Sequence, residues 1–248
     1  MKAVSAALNR CRALACVAVV VTSGCHRQPP ADDFFPLASK HRWTWRVTTQ
    51  LGDAAPTEET LHIVGERGEP LLPPGAGSSG GVNGYRRSDD GLEYWLHADA
   101  SGVQRRASRT LADGQHRADT PPRDVLKAPY VVGTTWAAPT TGYLLERRFD
   151  TPREVRHTYA PTPMAYRIDA VGEALQTAAG RLENCLRVRG SATIRVYADP
   201  VAGWREMPLS TLEWYCRGVG LARLERSEPA SSPFMTGGMQ RWELMAFE

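Results

Sequence analysis

Most of the chain beyond residue 42 alternates apolar and polar side chains in steps of two, and this period restricts the fold more than any other feature. Trp43, Trp45 and Val47 share one face while Thr44, Arg46 and Thr48 share the other, the pattern of a half-buried strand. Segments 59–64, 143–149, 166–171, 182–189, 192–197, 209–216, 221–226 and 240–247 read the same way. Segment 92–97 runs through Asp99, Ala100, Ser101 and Gly102 into 103–110, a hairpin with a glycine turn. Helical periodicity is confined to one short turn at 122–127, with Pro122 at its start and Pro129 beyond its end. Many short strands between Gly, Pro and acidic turns predict a mostly β fold. It is a single antiparallel, strongly curved sheet, or a partly closed barrel, with little helix. Seven glycines and three prolines between residues 65 and 84 exclude a regular strand throughout and predict a loop. One domain is expected over 34–248, with two halves of sheet meeting near 121–129.

Ahead of this body lies a segment of different character. Lys2, Arg10 and Arg12 precede nine apolar residues, 13–21, and then small residues lead to a cysteine, the order of an export signal. Nine residues are about half of the roughly 20 that span a hydrocarbon core. The junction Val21-Thr22-Ser23-Gly24-Cys25 resembles the lipobox of bacterial lipoproteins, with Thr22 where leucine is usual. The resemblance implies a signal peptide over 1–24 and acylation of Cys25, palmitate included, as the mature N-terminus. Two or more acyl chains hold a protein firmly to a bilayer without crossing it. His26, where lipoproteins kept at the inner membrane have Asp, favours the outer membrane, with the domain facing the periplasm. A Pro-rich tether over 25–33 keeps that domain near the surface.

Five cysteines then sort by place. Cys11 and Cys16 leave with the signal, Cys25 is acylated, and Cys185 and Cys216 remain in an oxidising compartment. An even remainder on neighbouring strand segments predicts a disulfide between them. No Cys-x-x-Cys spacing points to redox chemistry.

Of 30 Lys and Arg residues, three lie in the leader, which leaves 27 cations against 27 acids. A neutral body lacks the cationic surplus that nucleic acid binding needs. A hydrophobic content of 42% with seven tryptophans is enough for a core.

Motifs that carry chemistry are sparse. The glycine-rich run 75–81 lacks the Gly-Lys-Ser/Thr ending of a phosphate loop, and Ser78 and Ser79 are outside any Gly-x-Ser-x-Gly elbow. The histidines show no zinc spacing, so no metal and no cofactor is expected. Asp89-Asp90-Gly91 suits a turn better than a cation site. Arg86-Arg87, Arg105-Arg106 and Arg147-Arg148 each direct one guanidinium to either face of a strand, so one of each pair is expected to be paired or partly buried. A lipid headgroup or an acidic partner is the functional reading of those pairs. The tryptophans Trp43, Trp45, Trp95, Trp136, Trp204, Trp214 and Trp242 are expected to fill the core; an apolar cavity is the alternative.

Several phrases together resemble a group of bacterial envelope lipoproteins labelled TapB-like. They are Phe35-Pro36-Leu37 with Trp43-Thr44-Trp45, Val132-Gly133-Thr134-Thr135-Trp136, 177–185 ending Glu183-Asn184-Cys185, and 213–221 with Trp214-Tyr215-Cys216 and Gly218-Val219-Gly220. The resemblance covers nearly the whole mature chain and implies a β-rich, membrane-tethered domain with no catalytic residue. Its members often have a small or apolar residue where Cys216 stands. The expectation is therefore a non-enzymatic outer-membrane lipoprotein whose β domain binds a protein partner or an apolar ligand. The competing class is an envelope hydrolase with a dispersed site around His62, His97, Asp89 and Asp90.

Overall fold

A computed structural model describes residues 33–37, 40–67, 81–147, 159–199, 203–230 and 234–248. Six strands run as an antiparallel meander: β1 (Arg42–Leu51), β2 (Thr57–Arg67), β3 (Val82–Ser88), β4 (Glu93–Asp99), β5 (Gly102–Arg109) and β6 (Arg117–Lys127). The second half holds β7 (Thr135–Thr140), a two-residue β8 (Glu146–Arg147), β9 (Thr162–Thr177), β10 (Gly180–Asp199), β11 (Gly203–Cys216), β12 (Gly220–Glu228), a two-residue β13 (Met235–Thr236) and β14 (Gly238–Phe247). Strand β14 returns beside β1 and joins the halves into one 12-stranded sheet, β6-β5-β4-β3-β2-β1-β14-β12-β11-β10-β9-β7, while β8 pairs with β13. The sheet is nearly closed into a barrel, and no described residue is α-helical. Among the described residues there is no helix long and apolar enough to cross a membrane.

The barrel stops short of closure where β6 and β7 approach each other without joining the hydrogen-bond ladder. Each edge carries proline: Pro121 and Pro122 lie in β6, and Pro139 lies in β7. Proline has no N–H to give a ladder and is tolerated on edge strands. The β5–β6 register skips from Arg105↔Arg123 to Ala107↔Ala118, and the two prolines sit in the skipped stretch. The helical turn expected at 122–127 is thus part of edge strand β6. Its proline start and end fit a turn equally well, but pairing with β5 and burial of Leu126 decide the outcome.

Two other expectations shift. The glycine-rich loop is shorter than residues 65–84: β2 continues to Arg67 and β3 begins at Val82, with 68–80 outside the described residues. The strand read at 143–149 is reduced to the two residues of β8 within the described part. Elsewhere the period-two segments fall inside strands, and 182–189 and 192–197 belong to one long β10. Ala178 and Ala179 form the β9–β10 turn, and Gly180 leaves it at φ 119°, a conformation that glycine adopts freely.

Buried side chains form two clusters. The larger fills one end of the barrel with Ala138, Met164, Ile194, Val196, Met207 and Leu209 and extends to Phe34, Phe35 and Tyr215 at the other. The second gathers Trp43, Trp45, Val47 and Leu244 of the central strands against Leu175, Cys185 and Cys216. There the curled β9–β10 tip meets β14, where the Ala179 N–H donates to the Leu244 carbonyl at 3.2 Å.

Candidate functional site

Between the clusters the barrel interior holds a cavity of about 310 Å³. Its apolar wall comes from the centre of the sheet: Trp45, Leu61, Ile63, Leu221, Leu224 and Trp242. Its polar wall comes from both halves: Arg86, Arg105 and Arg123 from β3, β5 and β6, and Tyr166, Thr211, Glu213, Tyr215 and Arg226 from β9, β11 and β12. Strand periodicity explains the arrangement. Alternate residues of β11, from Met207 through Leu209, Thr211, Glu213 and Tyr215, are all buried and point inward. The first two are apolar and the last three polar, so one strand supplies packed core at one end and a hydrogen-bonding surface at the other. Gly190 of β10 gives room at the transition, since a Cβ there would meet Met164, Tyr166 and Thr211.

Glu213 is held by its strand neighbours. The Thr211 hydroxyl donates to one carboxylate oxygen at 3.0 Å and the Tyr215 hydroxyl to the other at 2.6 Å. Burial pushes the Glu213 carboxyl above the ordinary range, opposed by those hydrogen bonds and by Arg123 and Arg226. Burial likewise raises Tyr166 to about 12, opposed by Arg123, so its hydroxyl keeps its proton at neutral pH. The Tyr166 ring stacks on Trp136 at 5.4 Å between centroids.

The four arginines differ in their partners. Arg226 donates to Glu228 at 2.6 Å and to the Thr141 carbonyl at 2.6 Å. Glu228, fully buried, also accepts from the backbone N–H of Tyr143 at 3.1 Å and of Leu144 at 3.0 Å. Arg105 makes a two-pronged contact with Asp119 at 2.7 and 2.9 Å. Arg86 lies between the rings of Phe35 and Trp43, 3.7 and 4.2 Å from their centroids, and donates to the Pro36 carbonyl at 3.1 Å. Burial lowers its pKa to about 9, and its Nε has no partner among the described residues. Arg123 has no carboxylate within ion-pair distance among the described residues.

The segment that plugs this end of the barrel follows the expected tether directly. Phe34, Phe35 and Leu37 are buried. Asp33 pairs with Arg217 at 2.8 Å and accepts the Gly218 N–H at 2.7 Å through its carbonyl.

Of the residues singled out from sequence, Cys25 lies outside the described residues. Cys185 and Cys216 face each other in the β10–β11 register and are disulfide-bonded. Of the histidine and acid cluster only His62 and Asp89 adjoin, the Asp89 N–H donating to the His62 carbonyl at 3.0 Å, while His97 lies opposite Asn83 and Gln104 in the β3–β4–β5 register. His97 is buried, 2.8 Å from the Asn83 side chain and 3.5 Å from Asp99, and burial with nearby Arg106 lowers its pKa. Asp89 and Asp90 form the β3–β4 turn, where Asp90 accepts from the Ser88 hydroxyl. The His62 side chain contacts Thr44 at 3.2 Å, beside a separate recess of about 240 Å³. No group of three or more His, Cys, Asp or Glu side chains that could hold a metal ion occurs among the described residues.

The tryptophans divide. Trp45 and Trp242, in edge contact at 6.1 Å, line the cavity, Trp43, Trp95 and Trp136 are buried, and Trp204 is 58% exposed. Arg86 enters the cavity wall while Arg87 is exposed, as alternation requires; Arg105 also enters the wall, but Arg106 is half-buried as well, and Arg148 lies outside the described residues. Arg123, Tyr166 and Glu213 were not singled out from sequence. The one signal for Glu213 was its place on the face of β11 shared with Leu209 and Tyr215.

No family model matches this chain, and no curated protein matches it. Among solved structures, it is similar to a protein described as a lipoprotein from Parabacteroides distasonis, 12% identical, with TM-score 0.36 over 89% of this chain and 100% of the other. A second, described as an exported protein with a YmcC-like fold from Bacteroides fragilis, is 15% identical, with TM-score 0.36 over 87% and 98%. Overlap at that level transfers neither a site nor a role to this chain.

Proposed function

We propose that this chain is a lipoprotein of the bacterial envelope, acylated at Cys25 on the outer membrane with its barrel facing the periplasm, and that it binds an apolar ligand without transforming it. The observation that carries the binding role is the cavity of about 310 Å³, walled by Trp45, Leu61, Ile63 and Trp242. Small barrels of this type enclose ligands, and cavities that serve them combine an apolar lining with a few placed polar groups. The anchor rests on the sequence of the leader and on the short path from it. Residues 25–33 span at most roughly 26 Å at ~3.3 Å per residue, and Asp33 is fixed at the cavity end of the barrel. The ligand site is thereby kept close to the lipid surface.

Two measurements test this reading. Metabolically supplied palmitate should label the protein and should be lost in Cys25→Ser; equal labelling, or undiminished membrane attachment of the variant, overturns the anchor. Native mass spectrometry of the mature lipidated protein released from envelopes should show a bound small molecule, and a bare protein mass throughout counts against the ligand.

A protein partner is a second reading, favoured by the aromatic pair Tyr197 and Trp204 at the opposite end of β11 from Asp33. Trp204 is largely exposed, with Arg195 4.9 Å from its ring centre and Tyr197 5.6 Å away. Crosslinks from that end to one envelope protein would support it.

A further inference from the structure

Two of the cavity arginines, Arg86 and Arg123, have no carboxylate partner among the described residues; Arg86 is sandwiched between the Phe35 and Trp43 rings and donates to the Pro36 carbonyl, which leaves Arg123 as the one without such a cage. Arg105 and Arg123 stand directly opposite each other in the β5–β6 register, and both line the cavity. Like charges facing each other across paired strands destabilise a sheet. Asp119 compensates Arg105 with both carboxylate oxygens. Arg123 has no equivalent among the described residues. Its neighbour Asp124 accepts from Gln104 at 2.8 Å and from Lys127 at 3.4 Å. Across the cavity, Glu213 is beyond ion-pair distance of Arg123, and both its oxygens are engaged by Thr211 and Tyr215. A half-buried guanidinium without a counter-charge costs the fold stability that a bound anion restores.

The opposite wall has a different chemistry. Leu61, Ile63, Leu221, Leu224 and Trp242 offer only apolar surface, and 310 Å³ lies at the small end of ligand cavities. That volume suits one short alkyl chain. Resting on the ligand-binding reading above, we propose that the cavity takes a single-chain amphipathic anion, its carboxylate or phosphate head on Arg123 and its chain against the Leu61–Trp242 wall. A guanidinium presents paired N–H donors that fit either head, and Tyr166, which retains its proton at neutral pH, stands beside Arg123 as a further donor.

The test uses four eight-carbon probes, octanoate, octyl phosphate, octanol and octylammonium, titrated calorimetrically into the mature lipidated protein in nanodiscs, with empty nanodiscs as blank. Both anions should bind at least about tenfold more tightly than octanol, as a charge-assisted hydrogen bond allows, and octylammonium should bind most weakly. Arg123→Gln should bring the anions down to the octanol level. Arg123→Lys should keep part of the preference, and Arg87→Gln, on the exposed face, should keep all of it. Whichever anion binds more tightly assigns the head as carboxylate or phosphate. Octanol binding as tightly as octanoate would overturn the anionic head while the cavity reading stands. An anion preference that survives Arg123→Gln in a variant with unchanged melting temperature would overturn the role of Arg123. If none of the four binds, the ligand-binding reading fails as well.

Discussion

The two ends of the barrel are built from the same strands but held together differently. At the end near β8 and β13, Met207 and Leu209 of β11 meet Ile194 and Val196 of β10 with almost no exposed surface, and the buried Glu228–Arg226 pair ties down the loop at Tyr143 and Leu144. At the other end the inward positions of β11 become Thr211, Glu213 and Tyr215, and the interior opens into the cavity. Around the cavity the packing of Trp43, Trp45 and Leu244 is supplemented by other ties. Cys216, next to Tyr215, is disulfide-bonded to Cys185, and the segment from Asp33 to Leu37 is inserted across Arg86 and Gly218. Close packing is thus concentrated at the end away from Asp33, and the open interior lies at the other.

Changes at the packed end should therefore cost the most. Glu228→Gln leaves Arg226 buried without a counter-charge and should lower unfolding stability by about 3 to 5 kcal/mol in urea titrations; because Arg226 also lines the cavity, it should strengthen rather than weaken anion binding per folded molecule. Replacing both Cys185 and Cys216 by serine should cost about 3 to 4 kcal/mol in the chain-entropy picture for a sequence separation of 31. Unlike Glu228→Gln, it should also weaken binding, because it loosens the strand that carries Tyr215; unchanged affinity would separate the disulfide from the site. Leu209→Ala, which empties a fully packed position, should cost about 3 kcal/mol. Leu224→Ala, beside space that is already open, should cost clearly less and reduce affinity, and equal costs at both positions would erase the contrast between the ends.

The smallest expected effect concerns pH. Burial raises the Glu213 carboxyl above its unfolded value, so the folded state binds the proton more tightly than the unfolded chain. Its contribution is fully present below the unfolded pKa and is lost as pH rises through the higher folded value. Glu213→Gln should remove this dependence, matching the parent protein in acid and exceeding it in stability at neutral pH. A variant less stable than the parent at pH 7 would show that the ionised carboxylate is the favoured partner of Arg123 and Arg226.

The strands of β1, β4, β5, β9 to β12 and β14 were legible in sequence because each has one face in the core and one outside, so the period of two survives. Strand β3 was lost among glycines, and β6 was hidden by Pro121 and Pro122, which an edge strand accepts and an isolated sequence reads as a break. The site was legible only in pieces. The pairs at Arg86 and Arg105 announced one inward guanidinium each, and the tryptophans allowed for a cavity. What brings Arg123 opposite Arg105, and Glu213 to the far wall, is the register of β5 on β6 and the return of β14 to β1, which join residues far apart in the chain. His97 illustrates the reverse: a residue type that suits catalysis, set opposite Asn83 and Gln104 and away from the His62–Asp89 contact.

The most direct measurement is methyl NMR of the mature protein during an octanoate titration. Resonances of Leu61, Ile63, Leu221 and Leu224 should shift progressively and saturate, while those of Ile194, Val196, Met207 and Leu209 stay in place. Shifts spread equally over both sets, or none at the first four, would contradict a barrel with one packed end and one binding end.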